Sequence, residues 1–81
     1  MWRRPMAVLD VRPLLAAGSE PFSTIMAAVA RLSPGEALEL IAPFEPVPLY
    51  QVMEARGFSY SIARAQDGSW RVTFQRPDGH E

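Results

Sequence analysis

At 81 residues the chain has room for one small domain, and a hydrophobic content of 48% calls for a packed core rather than disorder. Eight Lys+Arg against nine Asp+Glu leave a net charge of -1, without the basic excess that nucleic-acid and anionic-membrane partners select. There is no cysteine, so disulfides, thiolate metal sites and thiol chemistry are excluded together.

The eight basic residues are all arginine, a composition that reads as the product of a GC-rich bacterial genome. Met1-Trp2-Arg3-Arg4 has the charge of a secretion leader, but Met6-Ala7-Val8-Leu9 meets Asp10 and Arg12 too soon. A leader needs an apolar region of about 7–15 residues. No apolar run approaches the roughly 20 residues of a membrane span. The expectation is a soluble, cytoplasmic protein.

Met6 to Val11 is a short apolar run closed by Arg12 and Pro13, the length and composition of a buried strand. Leu14 to Gly18 reads as loop. From Pro21, apolar residues fall at Phe22, Ile25, Met26, Val29 and Leu32, the stripe of an amphipathic helix. Ser19 or Glu20 caps it, and Pro21 suits the first turn, where its missing N–H has no partner to lose. Ser33-Pro34-Gly35 ends it. Glu36 to Ala42 then alternates with the period of a strand, Leu38, Leu40 and Ala42 on one side and Ala37, Glu39 and Ile41 on the other.

Pro43 to Pro48 is a rigid link. Leu49 to Arg56 reads as a second helix, with Leu49, Val52 and Met53 as its buried stripe and Gly57 as a left-handed C-cap. Phe58, Tyr60 and Ile62 alternate with Ser59, Ser61 and Ala63, and Trp70, Val72 and Phe74 with Arg71, Thr73 and Gln75. Asp67-Gly68 between these runs signals a hairpin. Tyr60, Trp70 and Phe74 are expected in the core. Trp2 covers a sheet edge or makes a partner contact.

The order β-α-β-α-β-β predicts an α+β fold, a two-layer α/β sandwich. Strands one and two are parallel, the last pair is an antiparallel hairpin, and both helices lie on one face of a mixed four-stranded sheet. One domain spans residues 1–81, with its core at about 6–76 and frayed ends at Met1–Arg4 and Pro77–Glu81.

Three strings fall in register with these elements: Leu9-Asp10, Glu20-Pro21 and Pro34-Gly35-Glu36. Together they resemble the TusA/SirA family of small sulfur carriers from about Ala7 to Arg76. The resemblance implies a persulfide-carrying cysteine in a Cys-Pro-x-Pro motif at the first helix, where a helix N-terminus favours the thiolate. Counted back from Glu20-Pro21, the cysteine falls at Gly18 and the first proline at Ser19. Counted forward from Leu9-Asp10 it falls at Ala16, which implies a two-residue insertion. No thiol stands at either position or elsewhere in the chain, so sulfur carriage is excluded.

The chain is more similar still to a branch of that superfamily that lacks the cysteine and has no established function. Asp10 and Arg12, the Glu20-Pro21 helix start, Pro48-Leu49-Tyr50 and Glu54-Ala55-Arg56-Gly57 carry this likeness. Pro13 departs from it, since those relatives usually have Gly there. Some of them are joined to hemerythrin-like and metabolic domains, which implies protein partners in redox or respiratory settings.

The ends of the parallel strands and the starts of both helices share one rim, a common place for ligands on α/β sheets. The candidate binding surface is Arg12, Gly18, Ser19, Glu20, Pro21, Phe22, Phe44, Glu45, Pro46, Pro48 and Tyr50. Taken singly, Glu20 and Glu45 are expected to complement helix dipoles, each for about 0.3–1 kcal/mol. Asp10, Glu20 and Glu45 lack a neighbouring histidine, so no metal and no cofactor is expected. His80 sits in the tail. Ser19, Ser23 and Thr24 have no histidine base, so no nucleophilic site is expected. Asp10 and Arg12 are expected to pin a loop.

The leading expectation is a non-catalytic adaptor that binds a protein partner, with no nucleic acid and no membrane involved. The alternative is a small-ligand site or minor enzyme using Arg12, Glu20 and Tyr50. RNA binding, known for related two-layer folds, is disfavoured by the charge.

Overall fold

The computed structural model describes residues 6–76. The expectations for Trp2, His80 and the ends Met1–Arg4 and Pro77–Glu81 lie outside the described residues. Four strands, β1 (Met6–Asp10), β2 (Ala37–Ala42), β3 (Ser59–Arg64) and β4 (Trp70–Gln75), form one mixed sheet in the order β1-β2-β4-β3. β1 runs parallel to β2, β2 antiparallel to β4, and β4 antiparallel to β3. The α+β architecture expected from the order of elements is the one observed.

Register explains which residues form the core. Leu38, Leu40 and Ala42 of β2 pair with Phe74, Val72 and Trp70 of β4, so these side chains share one face. Helices α2 (Phe22–Ala30) and α3 (Val47–Ala55) bring Ile25, Val29, Leu49, Tyr50 and Met53 into the same cluster. On the opposite face Val8 is 60% exposed and Arg71 reaches Glu39 at 3.8 Å, while Ala37 and Ile41 of β2 are buried. Ile62 is 43% exposed, against its alternating pattern, because β3 is an edge strand.

Three local differences from the sequence reading have physical causes. First, Arg12–Ala16 is a short helix, α1, where loop was expected. The Asp10 carboxylate accepts the Arg12 N–H, and Pro13 occupies the first turn, where it breaks no hydrogen bond. The helix ends in a Schellman motif: Gly18 N–H donates to Leu15 C=O at 3.0 Å and Ser19 N–H to Leu14 C=O at 2.9 Å. Gly18 has φ 78°, which an L side chain rarely adopts. It therefore closes α1 rather than opening α2.

Second, α3 begins at Val47, two residues before the expected start, with Pro48 inside its first turn. It ends as expected at Gly57, where Phe58 N–H donates to Met53 C=O at 2.9 Å. Third, the hairpin link is longer than a two-residue turn. Ala65 N–H donates to Ser69 C=O at 2.9 Å and Gly68 N–H to Ala65 C=O at 3.0 Å.

Candidate functional site

The C-terminal ends of β1 and β2 and the N-termini of α2 and α3 meet at one rim, and the rim holds a cleft of about 200 Å³. Leu40 and Ala42 of β2 form its floor. Phe22 and Ile25 of α2, Leu49 and Val52 of α3, and Val11 and Leu15 line it, and the exposed Phe44 lies at its mouth. Pro21, Pro46 and Pro48 complete the lining, and no polar atom faces the interior. Phe44 is 54% exposed and Phe22 45%, so apolar surface spills out of the cleft onto the rim. Phe22, expected both in the apolar stripe of the helix and in the candidate surface, is exposed and lines the cleft.

Of the candidate surface, Pro21, Phe22, Phe44, Pro46 and Pro48 line the cleft. Gly18 and Ser19 close α1 and lead into α2. Glu20, one residue before the N-cap Pro21, caps the first turn of α2: its carboxylate accepts the N–H groups of Phe22 and Ser23 and the Ser23 hydroxyl. Of the two cap candidates it is Glu20, not Ser19, that binds the helix.

The polar candidates do not converge. The Arg12 guanidinium donates to Asp10 at 2.8 and 2.9 Å and to Asp67 in the β3–β4 link at 3.1 Å. Hydrogen bonds from Arg12 hold the Asp10 carboxyl below the usual carboxylate range. Those from Ser69, with Arg12 adding to them, hold Asp67 at about 2. The pinned loop expected for Asp10 and Arg12 therefore extends to a second loop. The Arg12–Asp67 contact spans 55 positions and was invisible to local pattern; only the pairing of β4 with β2 brings that link to the rim.

Tyr50 leaves the rim for the core. It is 7% exposed and stacks on Tyr60 with ring centroids 4.3 Å apart and planes at 9°. Its hydroxyl donates to Glu45 Oε2 at 3.3 Å, so Glu45 binds a phenol rather than a helix terminus. Asp10, Glu20 and Glu45 thus have three different partners, and no acidic or histidine cluster suited to a metal ion occurs among the described residues.

A family model described as "Uncharacterized conserved protein (DUF2249)" matches residues 8–76. The chain belongs to this family. The DUF2249 match includes every residue that lines the cleft. No curated protein and no solved structure matches the chain. No helix among the described residues is long and apolar enough to cross a membrane.

Burial, with the Glu45 charge adding to it, pushes the Tyr50 phenol up to about 12. A phenol that resists ionising in the fold but ionises normally once unfolded costs stability as pH rises from about 10 to about 12. Tyrosinate absorbance should therefore show one phenol titrating near pH 12 in the native protein. Tyr50→Phe should remove that step and make unfolding less sensitive to pH across the window. A native Tyr50 step near pH 10 would contradict the burial argument.

The cleft itself was partly legible. Three prolines and two phenylalanines around two helix starts are more rigid apolar surface than a link requires, and that density was the available signal. Val11, Leu15, Ala42 and Val52 gave none, because apolar periodicity does not separate a filled core from one with a groove in it.

Proposed function

We propose that the chain is a non-catalytic binding module that uses the rim cleft to dock a protein partner. The observation that carries this reading is the cleft's lining: an apolar hollow, preformed by three prolines, whose walls offer no acid, base or nucleophile. Concave apolar surface edged by exposed aromatics suits a side chain from another protein. In this reading the module is a TusA/SirA-like scaffold that keeps the carrier's docking corner and lacks its thiol. The Glu20-Pro21 start of α2 beside the cleft and the absence of cysteine are consistent with that descent. The small-ligand or enzyme alternative needs Arg12, Glu20 and Tyr50 together, and each is bound to a different partner.

The test is retention of partners from a cell extract by the immobilised chain. Phe44→Ala should lower recovery of specifically bound proteins about tenfold or more, with the melting temperature nearly unchanged because Phe44 is exposed. Phe44 is the better probe than Glu20, whose replacement by Arg would also remove the α2 cap, at about 1 kcal/mol. Equal recovery by wild type and Phe44→Ala would sink the docking reading.

A further inference from the structure

The cleft and its mouth differ in chemistry, and the difference specifies an occupant. A volume of about 200 Å³ is small for a metabolite site. An apolar cavity of about 150 Å³ is enough to hold a benzene molecule, so this cleft has room for one large side chain. Three of its lining residues are prolines, which have no N–H to donate. A polar ligand pushed into it would lose hydrogen bonds to water and gain none. A peptide avoids that penalty by inserting one apolar side chain while its backbone stays in solvent.

Two acids without an ion pair among the described residues, Glu20 and Glu45, lie next to lining residues. The Glu20 carboxylate accepts the N–H of the lining residue Phe22, and Glu45, half-buried, lies in the chain between the lining residues Phe44 and Pro46. Both are held by hydrogen bonds, from Phe22 and Ser23 in one case and Tyr50 in the other. Neither forms an ion pair among the described residues. Arg12, the cation adjoining the lining residue Val11, is already bound between Asp10 and Asp67. An acidic segment would be repelled here and a basic one attracted. A second copy docking through the same patch would set Glu20 and Glu45 against their own images across a two-fold axis.

We infer that the cleft receives one large apolar side chain from a partner segment that carries arginine or lysine beside it. This rests on the docking reading above and adds the chemistry of the partner.

The test uses the full chain, ¹⁵N-labelled, and three short capped peptides: tryptophan between arginines, tryptophan between glutamates, and alanine between arginines. The arginine–tryptophan peptide should shift the amides of Phe22, Ala42 and Val52 and bind about tenfold more tightly than the glutamate–tryptophan peptide at low salt. That margin should shrink at about 0.5 M salt, where exposed charges are screened, and in Glu45→Gln. The alanine peptide should leave those amides in place.

Equal or tighter binding of the glutamate–tryptophan peptide overturns the inferred charge and leaves the docking reading standing. Equal binding of the tryptophan and alanine peptides overturns the apolar anchor. Shifts that grow with protein concentration alone make a second copy the occupant and overturn the inference. If neither tryptophan peptide moves the cleft amides, the inference falls; partner recovery by Phe44→Ala then decides separately whether docking falls with it.

Discussion

Phe74→Ala is expected to lower the unfolding free energy by about 3–5 kcal/mol, the usual range for emptying a core aromatic site. Phe74 is fully buried at the centre of the sheet, paired with Leu38 on β2 and with Tyr60 on β3. Its ring lies 6.0 Å from that of Tyr60, which in turn stacks on Tyr50 of α3. Removing it therefore loosens the contact of two strands and a helix at once, with central strands that cannot collapse into the gap. Domains of this kind have about 5–15 kcal/mol in total, and one this small sits low in that range. The variant should melt far below wild type in urea or heat, and a loss under about 1 kcal/mol would show that Phe74 is not the centre of the core.

Ala42→Leu should have the opposite sign on stability and the larger effect on binding. Ala42 is almost fully buried and forms part of the cleft floor, so a longer side chain there grows into vacant apolar space. Each methylene that leaves water contributes about 0.8 kcal/mol. Allowing for incomplete burial, the gain should be about 1–2 kcal/mol in denaturant unfolding. The same side chain occupies the place an incoming one would need, so partner retention should fall more than tenfold. A variant that is more stable and no longer binds identifies the hollow as kept open for use, a known conflict between stability and function. A variant that is more stable and still binds identifies it as an ordinary packing gap.

The sheet and both main helices were legible because each is written in local periodicity. Leu38, Leu40 and Ala42 alternate, and Ile25 and Val29 recur one turn apart; burial follows both patterns. What local pattern missed was set by contacts distant in sequence or by caps. Helix α1 exists because the Asp10 carboxylate receives the Arg12 N–H and Gly18 closes the last turn, whereas Leu14 to Gly18 alone has no amphipathic stripe. Tyr50 was placed on the rim because it stands in the first turns of α3. It is buried because Tyr60, on a strand whose position depends on β4, offers a ring to stack on. The candidate surface mixed two kinds of residue: Pro21, Phe22, Phe44, Pro46 and Pro48 line the cleft, whereas Arg12, Glu20, Glu45 and Tyr50 hold the corner together through hydrogen bonds.

A hollow with no polar atom in its walls is also a permissive one. Discrimination between apolar side chains in such a site is limited to about 1–3 kcal/mol per methylene, and no unmatched hydrogen bond penalises a near fit. Leucine, methionine and phenylalanine would then be graded rather than sorted. If the cleft docks a partner as proposed, fidelity would rest with Glu20 and Glu45, and a change of partner would need new residues on the rim while β2 and Phe74 stay as they are.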